Sequence, residues 1–118
     1  MRSDKKFVLA IFDELFEKNF EQYKESLSKP INSDGDSYAK ARNALAALSD
    51  NDRANVFAFF NVIIADSASV VLGMLDGVHF PDDLDGDFVV SCDGEEIQGD
   101  LMDIFIERTQ EKIFTGRI

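Results

Sequence analysis

The chain has 118 residues, a formal net charge of −11, 45% hydrophobic and 30% charged residues. This length suits one globular domain, which we expect over residues 1–118, and the apolar content excludes a wholly disordered chain. The single cysteine, Cys92, cannot form an internal disulfide. Polar residues interrupt every apolar run before about 18 residues, and residues 1–6 do not read as a signal peptide. We therefore expect a soluble cytoplasmic protein.

The negative charge is concentrated in the second half of the chain. No Lys or Arg lies between Arg53 and Arg108, and this interval carries twelve of the 23 acidic residues, ten of them after Gly77. Such a field repels nucleic acids and anionic membranes and attracts cationic surfaces. It predicts a basic protein partner and neither nucleic-acid nor membrane binding. The alternative is that the acidity only keeps the protein soluble.

Two helices are predicted in the first 48 residues. The first spans about Asp4 to Leu27, because large apolar residues recur at three- and four-residue steps along it. Pro30 and the turn-rich segment 32–36 end that helix. The second spans about Ser37 to Leu48, with Asp36 or Ser37 as its cap.

A third helix is predicted from about Asp50 to Leu75, after a capping box at Ser49–Asp52. It is apolar on almost every side, which is typical of a helix buried in the middle of a domain, and its phenylalanines are expected in the core. Asp66 and its serine neighbours are interpreted as a solvent-facing turn; the alternative is a buried polar network. Asp76–Gly77 is expected to end the helix.

The period of the apolar residues changes after Gly77. Phe88–Cys92 and Glu95–Ile97 flank Asp93–Gly94, a dipeptide that favours the tight turn of a β-hairpin. Asp100 is expected to cap a last helix that runs to about Phe114. The predicted fold is therefore mostly α (α+β), a bundle of about four helices with a small β-hairpin before the last one.

The sequence favours no catalytic or metal-binding site. The acidic residues 82–87 fail the EF-hand spacing both with Gly86 as the sixth loop residue and with Asp83 as the first, so a solvated acidic turn is expected there instead of a calcium site. His79 and Cys92 are the only candidates for a nucleophilic dyad, but their neighbours match no catalytic signature. A partly buried His79 and a strand Cys92 are the expected interpretations. We predict no enzyme activity, no cofactor and no metal.

Two stretches, 72–80 (LGMLDGVHF) and 94–105 (GEEIQGDLMDIF), resemble small acidic bacterial immunity proteins of contact-dependent and related polymorphic toxin systems. The resemblance covers roughly the last 45 residues. It implies a stoichiometric inhibitor that covers or distorts the active surface of a toxin, and it implies a role more than a fold.

Toxins of this kind are often nucleases, which bind their substrate in a positively charged cleft. A surface of carboxylates would occupy that cleft. The predicted partner-binding residues combine carboxylates with apolar anchors near their centre. They are Asp82, Asp83, Asp85, Asp87, Asp93, Glu95, Glu96, Asp100 and Asp103, with Phe80 and Leu84 as anchors. The competing hypothesis is a small structural or adaptor protein without a toxin partner, which would form a homodimer through a Phe-rich helix face. The sequence leaves monomer and homodimer open.

Overall fold

The computed structural model describes residues 2–31 and 35–112, and it confirms the predicted mostly helical α+β fold. The predicted loop residues 32–34 and the predicted helix end at 113–114 lie outside the described residues. Helices and one antiparallel hairpin follow each other in the predicted order. They are α1 (Ser3–Phe12), a π-helical segment (Asp13–Asn19), α2 (Phe20–Leu27), α3 (Ser37–Ala46), α4 (Asp50–Leu75), β1 (Ser91–Cys92), β2 (Glu95–Glu96) and α5 (Leu101–Lys112).

The first predicted helix is continuous from α1 to α2, but its middle is π-helical, which the sequence analysis did not anticipate. Its buried stripe is Val8, Phe12, Phe16 and Phe20, spaced four residues apart. In an α-helix, residues four apart are offset by about 40°, so a run of such steps drifts around the helix. The wider turn of the i→i+5 segment rotates the stripe in the opposite sense. The four side chains therefore stay on one face.

Arg53 closes the junction between α3 and α4. Its guanidinium donates to the carbonyl oxygens of Leu45 and Leu48, each at 3.0 Å, and pairs with the Asp50 carboxylate at 3.0 Å. The Ser49 part of the predicted capping box is present, because the Ser49 hydroxyl accepts from the Asp52 amide at 3.1 Å. A carbonyl near the end of α3, the Leu48 carbonyl of the junction and an amide in the first turn of α4 thus all have partners.

The core lies along one side of α4 in two clusters. Phe12, Phe16 and Phe105 belong to the first, which joins α1 and the π segment to α5 and the second half of α4. Phe20 and Phe57 belong to the other, which joins α2 and α3 to the first half of α4. Ile64 packs against both clusters. Helix α4 is therefore the element that both clusters share.

The prediction that α4 is buried on all sides is wrong. Phe57, Ala65 and Leu72 face the core, but Phe59 is 59% exposed and Val71 is 57% exposed. Other helices cover only one side of α4, so an all-round apolar composition leaves the opposite side in water. The expectation that all its phenylalanines are core holds for Phe57 and fails for Phe59.

By length and composition, α4 is also the one helix in the described chain that could cross a membrane. An 18-residue window within it has a mean hydropathy of 1.9, and 28% of that window is buried.

Candidate acidic docking surface

The Asp76 carboxylate holds together the two ends of the loop that connects α4 to α5. Asp76, directly after α4, accepts from the backbone amides of Gly99 at 2.6 Å, Leu101 at 3.1 Å and Met102 at 2.8 Å. These amides precede or open α5, where unpaired N–H groups and the helix dipole favour a negative charge. The chain between 77 and 99 therefore leaves and returns at the same end of α4.

Helix α4 ends as its sequence predicts. Gly77 has φ +75°, and the amides of Val78 and His79 donate to the Gly73 carbonyl at 2.9 and 3.1 Å. These bonds satisfy a carbonyl of the last helical turn and redirect the chain. The loop between α4 and α5 thus begins at an ordered, hydrogen-bonded helix end.

The predicted hairpin is present but shorter than predicted. Ser91 pairs with Glu96 and Cys92 with Glu95, across a turn in which Asp93 and Gly94 have φ of 51° and 81°. These two positive φ angles match the Asp-Gly turn read from the sequence. Residues 88–90 have no strand conformation, although the Ile97 amide donates to the Val90 carbonyl at 2.8 Å.

The nine predicted carboxylates lie in what we call the acidic segment, residues 82–103. All nine side chains are exposed: Asp82, Asp83, Asp85, Asp87, Asp93, Glu95, Glu96, Asp100 and Asp103. None belongs to an ion pair formed within the described residues. Glu95 accepts from the Ser3 hydroxyl at 3.0 Å and Glu96 from the Gln98 amide at 3.4 Å, so both partners are neutral. Their negative charge is therefore not neutralised by a neighbouring cation of the described chain.

Both predicted anchors face solvent beside these carboxylates. Phe80 is 74% exposed and Leu84 is 41% exposed. Val89, at 66%, and Phe88, at 38%, are further exposed apolar residues of the same loop. The sequence predicts both in a strand, where successive side chains point to opposite faces and one of the two is ordinarily packed against a neighbour. The exposure of both was therefore not predicted.

Asp100 holds the N-cap position of α5, since its carbonyl accepts from the Ile104 amide at 3.0 Å. The side-chain acceptor at this helix start is nevertheless Asp76, from the far end of the loop. The sequence analysis assigned that role to Asp100, because capping is normally a local interaction.

The two residues considered for nucleophilic chemistry both lie on the surface. His79 is exposed, contrary to its expected partial burial, and Cys92 is exposed in β1. Asp66 is exposed as the solvent-facing interpretation predicted. Among residues 2–31 and 35–112, no group of three His, Cys, Asp or Glu side chains is arranged to hold a metal ion.

The chain was compared with protein-family models, with curated proteins and with solved structures, and no significant match was found in any of the three.

Proposed function

We propose that this chain is an acidic binding protein that neutralises a basic toxin domain stoichiometrically, in the manner of an immunity protein, without catalysis of its own. Nine exposed carboxylates without a cationic partner in the described chain support this function most directly. Such an inhibitor acts in the cytoplasm, where a toxin that attacks nucleic acid would meet its substrate.

The charge of the acidic segment suits a partner that itself binds phosphates. A nuclease needs a positive cleft, and a protein that fills the cleft with carboxylates competes directly with the nucleic acid. A concentrated negative field also raises the association rate, by about 10-fold to 1,000-fold in steered complexes. The loop that carries the charge is held at both ends by Asp76, so less order has to be imposed on binding.

Apolar contacts are needed for a slow dissociation rate, because charges at the rim of an interface mainly set the association rate. Phe80 and Val89 offer the largest exposed apolar fractions within this loop. We expect Phe80→Ala to raise the dissociation rate while leaving the salt dependence of association unchanged.

The decisive experiment measures association with the product of the neighbouring upstream reading frame by surface plasmon resonance at about 50 and about 500 mM salt. The test variant carries Asp82→Lys, Asp83→Lys and Asp85→Lys. The matched control carries Glu17→Lys, Glu21→Lys and Glu25→Lys, which change the net charge equally at three exposed helical positions.

We expect the association rate of the wild type to fall with salt, and the test variant to associate about tenfold more slowly than the control. Equal rates for the two variants, a salt-independent association rate, or no binding at all would each overturn the proposal.

A further inference from the structure

A second exposed surface lies on α4, on the side opposite the core. Phe59 is 59% exposed, Ile63 48% and Val70 44%, while Ser67 is exposed and Val56 is half-buried. We call these five residues the α4 stripe. None of the five is charged, and the exposed Asp66 is the one charged residue of α4 between Val56 and Val70. So much exposed apolar surface is unusual on the outer face of a helix in a chain with 30% charged residues.

The spacing of the α4 stripe is symmetric about Ile63. Phe59 and Ser67 lie four residues to either side of it, and Val56 and Val70 lie seven residues to either side. An antiparallel pair of identical helices related by a two-fold axis brings residue 63−k of one copy opposite residue 63+k of the other. We propose that a second copy of this chain docks on the α4 stripe, antiparallel, with the two-fold axis at Ile63.

Side-chain sizes match in this register. Ile63 meets its symmetry mate, Val56 meets Val70, and the large Phe59 ring meets the small Ser67. Beside Ser67 lies an open groove of about 390 Å³ whose walls include Leu15 and Tyr23. The Phe59 ring of the second copy fits into this groove. The residues spaced four apart, Phe59, Ile63 and Ser67, then form a ridge on each helix, and the two ridges interdigitate as in the commonest class of helix packing.

The distribution of charge selects the antiparallel orientation. Helix α4 is about 39 Å long, and the acidic segment is attached at its C-terminal end, where Asp76 binds the amides of Gly99 and Met102. A parallel pair would bring two acidic segments together, whereas the antiparallel pair places them at opposite ends of the dimer. Asp66 lies three residues from the axis, so the two copies of Asp66 are separated by about 9 Å along the helices instead of facing each other.

The exposed apolar area on and beside the α4 stripe supplies most of what a dimer needs. The exposed parts of Tyr23, Phe59, Ile63, Val70 and Val71 amount to roughly 350 Å² of side-chain surface. A standard interface buries about 800 Å² per partner, somewhat more than half of it apolar. The half-buried Val56 of the stripe, together with the half-buried Phe60 and Ile64 beside it, can supply the difference.

A bilayer is the other apolar environment that the composition of α4 allows. The net charge of −11 opposes approach to an anionic surface. Asp66 interrupts the middle of the exposed side, where a membrane would have to desolvate it. A helix pair leaves this carboxylate at the edge of the contact, in water.

Sedimentation velocity of the full chain from about 1 to about 200 µM tests the proposal. We expect a dimer to form with rising concentration. Ile63→Asp should weaken it by roughly 100-fold or more, because two carboxylates then meet at the axis without a counter-charge. Ala58→Asp is the matched control: it adds the same charge at an exposed position of α4 outside the stripe, and it should leave the dimer intact.

Ser67→Glu provides a second disruption that does not threaten the fold, since Glu favours a helix more than Ser does. It should block the site of Phe59 and abolish the dimer, while Ser67→Ala should preserve it. In a Cys92→Ser background, Ile63→Cys should form an intermolecular disulfide, because the two-fold axis brings its Cβ atoms close together. Ala58→Cys should not.

A protein that stays monomeric at about 200 µM would overturn the proposal. A dimer that survives both Ile63→Asp and Ser67→Glu, or that cross-links at Ala58→Cys, would show that another surface is used. Binding of the monomer to phosphatidylcholine vesicles that is lost in Ile63→Asp would assign the stripe to a membrane instead.

Discussion

Removal of the Asp76 carboxylate should loosen the connection between α4 and α5 more than any other single change in the loop. Asp76→Ala leaves the amides of Gly99, Leu101 and Met102 without their acceptor. It also removes a negative charge from the start of α5, where the helix dipole favours one. The same substitution frees the returning end of the acidic segment.

The magnitude follows from the three hydrogen bonds. A hydrogen bond to a charged acceptor contributes about 1.5–3 kcal/mol and loss of an N-cap side chain costs about 0.5–2 kcal/mol. These contributions overlap at one carboxylate, and Asp76 is only half-buried, so we expect Asp76→Ala to lower the free energy of unfolding by about 3 kcal/mol. Asp76→Asn keeps one oxygen acceptor and should cost about half as much.

Urea denaturation followed by circular dichroism at 222 nm measures this cost. The matched control is Asp100→Ala, which removes a carboxylate at the N-cap position of the same helix but leaves the Asp76 hydrogen bonds in place. We expect the control to cost less than about 1 kcal/mol. If Asp100→Ala were as destabilising as Asp76→Ala, the assignment of the cap to Asp76 would be incorrect.

Two further substitutions test the core and the α3–α4 junction by the same denaturation assay. Phe105→Ala should lower the free energy of unfolding by about 3–5 kcal/mol, because its ring is fully buried and its centroid lies 6.5 Å from that of Phe12 and 6.3 Å from that of Phe16. The control Phe7→Ala removes a ring that is 36% exposed and should cost far less. Similar costs for the two variants would contradict the packing. Arg53→Lys should cost about 1–2 kcal/mol, because the Lys ammonium lacks the planar fork that reaches the Leu45 and Leu48 carbonyls and Asp50 together. An unchanged stability would show that the fork is dispensable.

Local signals in the sequence were sufficient for the order of elements. The Asp-Gly turn, the Ser49 cap and the stop at Asp76–Gly77 act within a few residues, so their outcome depends little on the rest of the chain. The π-helical segment was not predicted. It depends on how four-residue steps of large side chains fit against α4 and α5, and a periodicity argument cannot distinguish that from an α-helix.

The candidate site was predictable in composition but not in conformation. An interval with twelve acids and no Lys or Arg indicated exposed carboxylates, and the structure has all nine predicted ones exposed. The exposure of Phe88 and Val89 was not predicted, because apolar residues next to a turn are typical of a strand. The charge-reversal experiment at Asp82, Asp83 and Asp85 tests whether the exposed carboxylates bind a partner.

The amino-acid sequence by itself determined the helices, the hairpin turn and the location of the excess negative charge, since each depends on residues that are close together along the chain. Only the tertiary structure decided which side of α4 stays in contact with water and which carboxylate caps α5. Both depend on residues far apart in sequence: α4 is apolar on nearly every side, and Asp76 meets amides 23 to 26 residues further on. Composition sets how much apolar surface a helix has, but the number of neighbours that pack on it sets how much is buried.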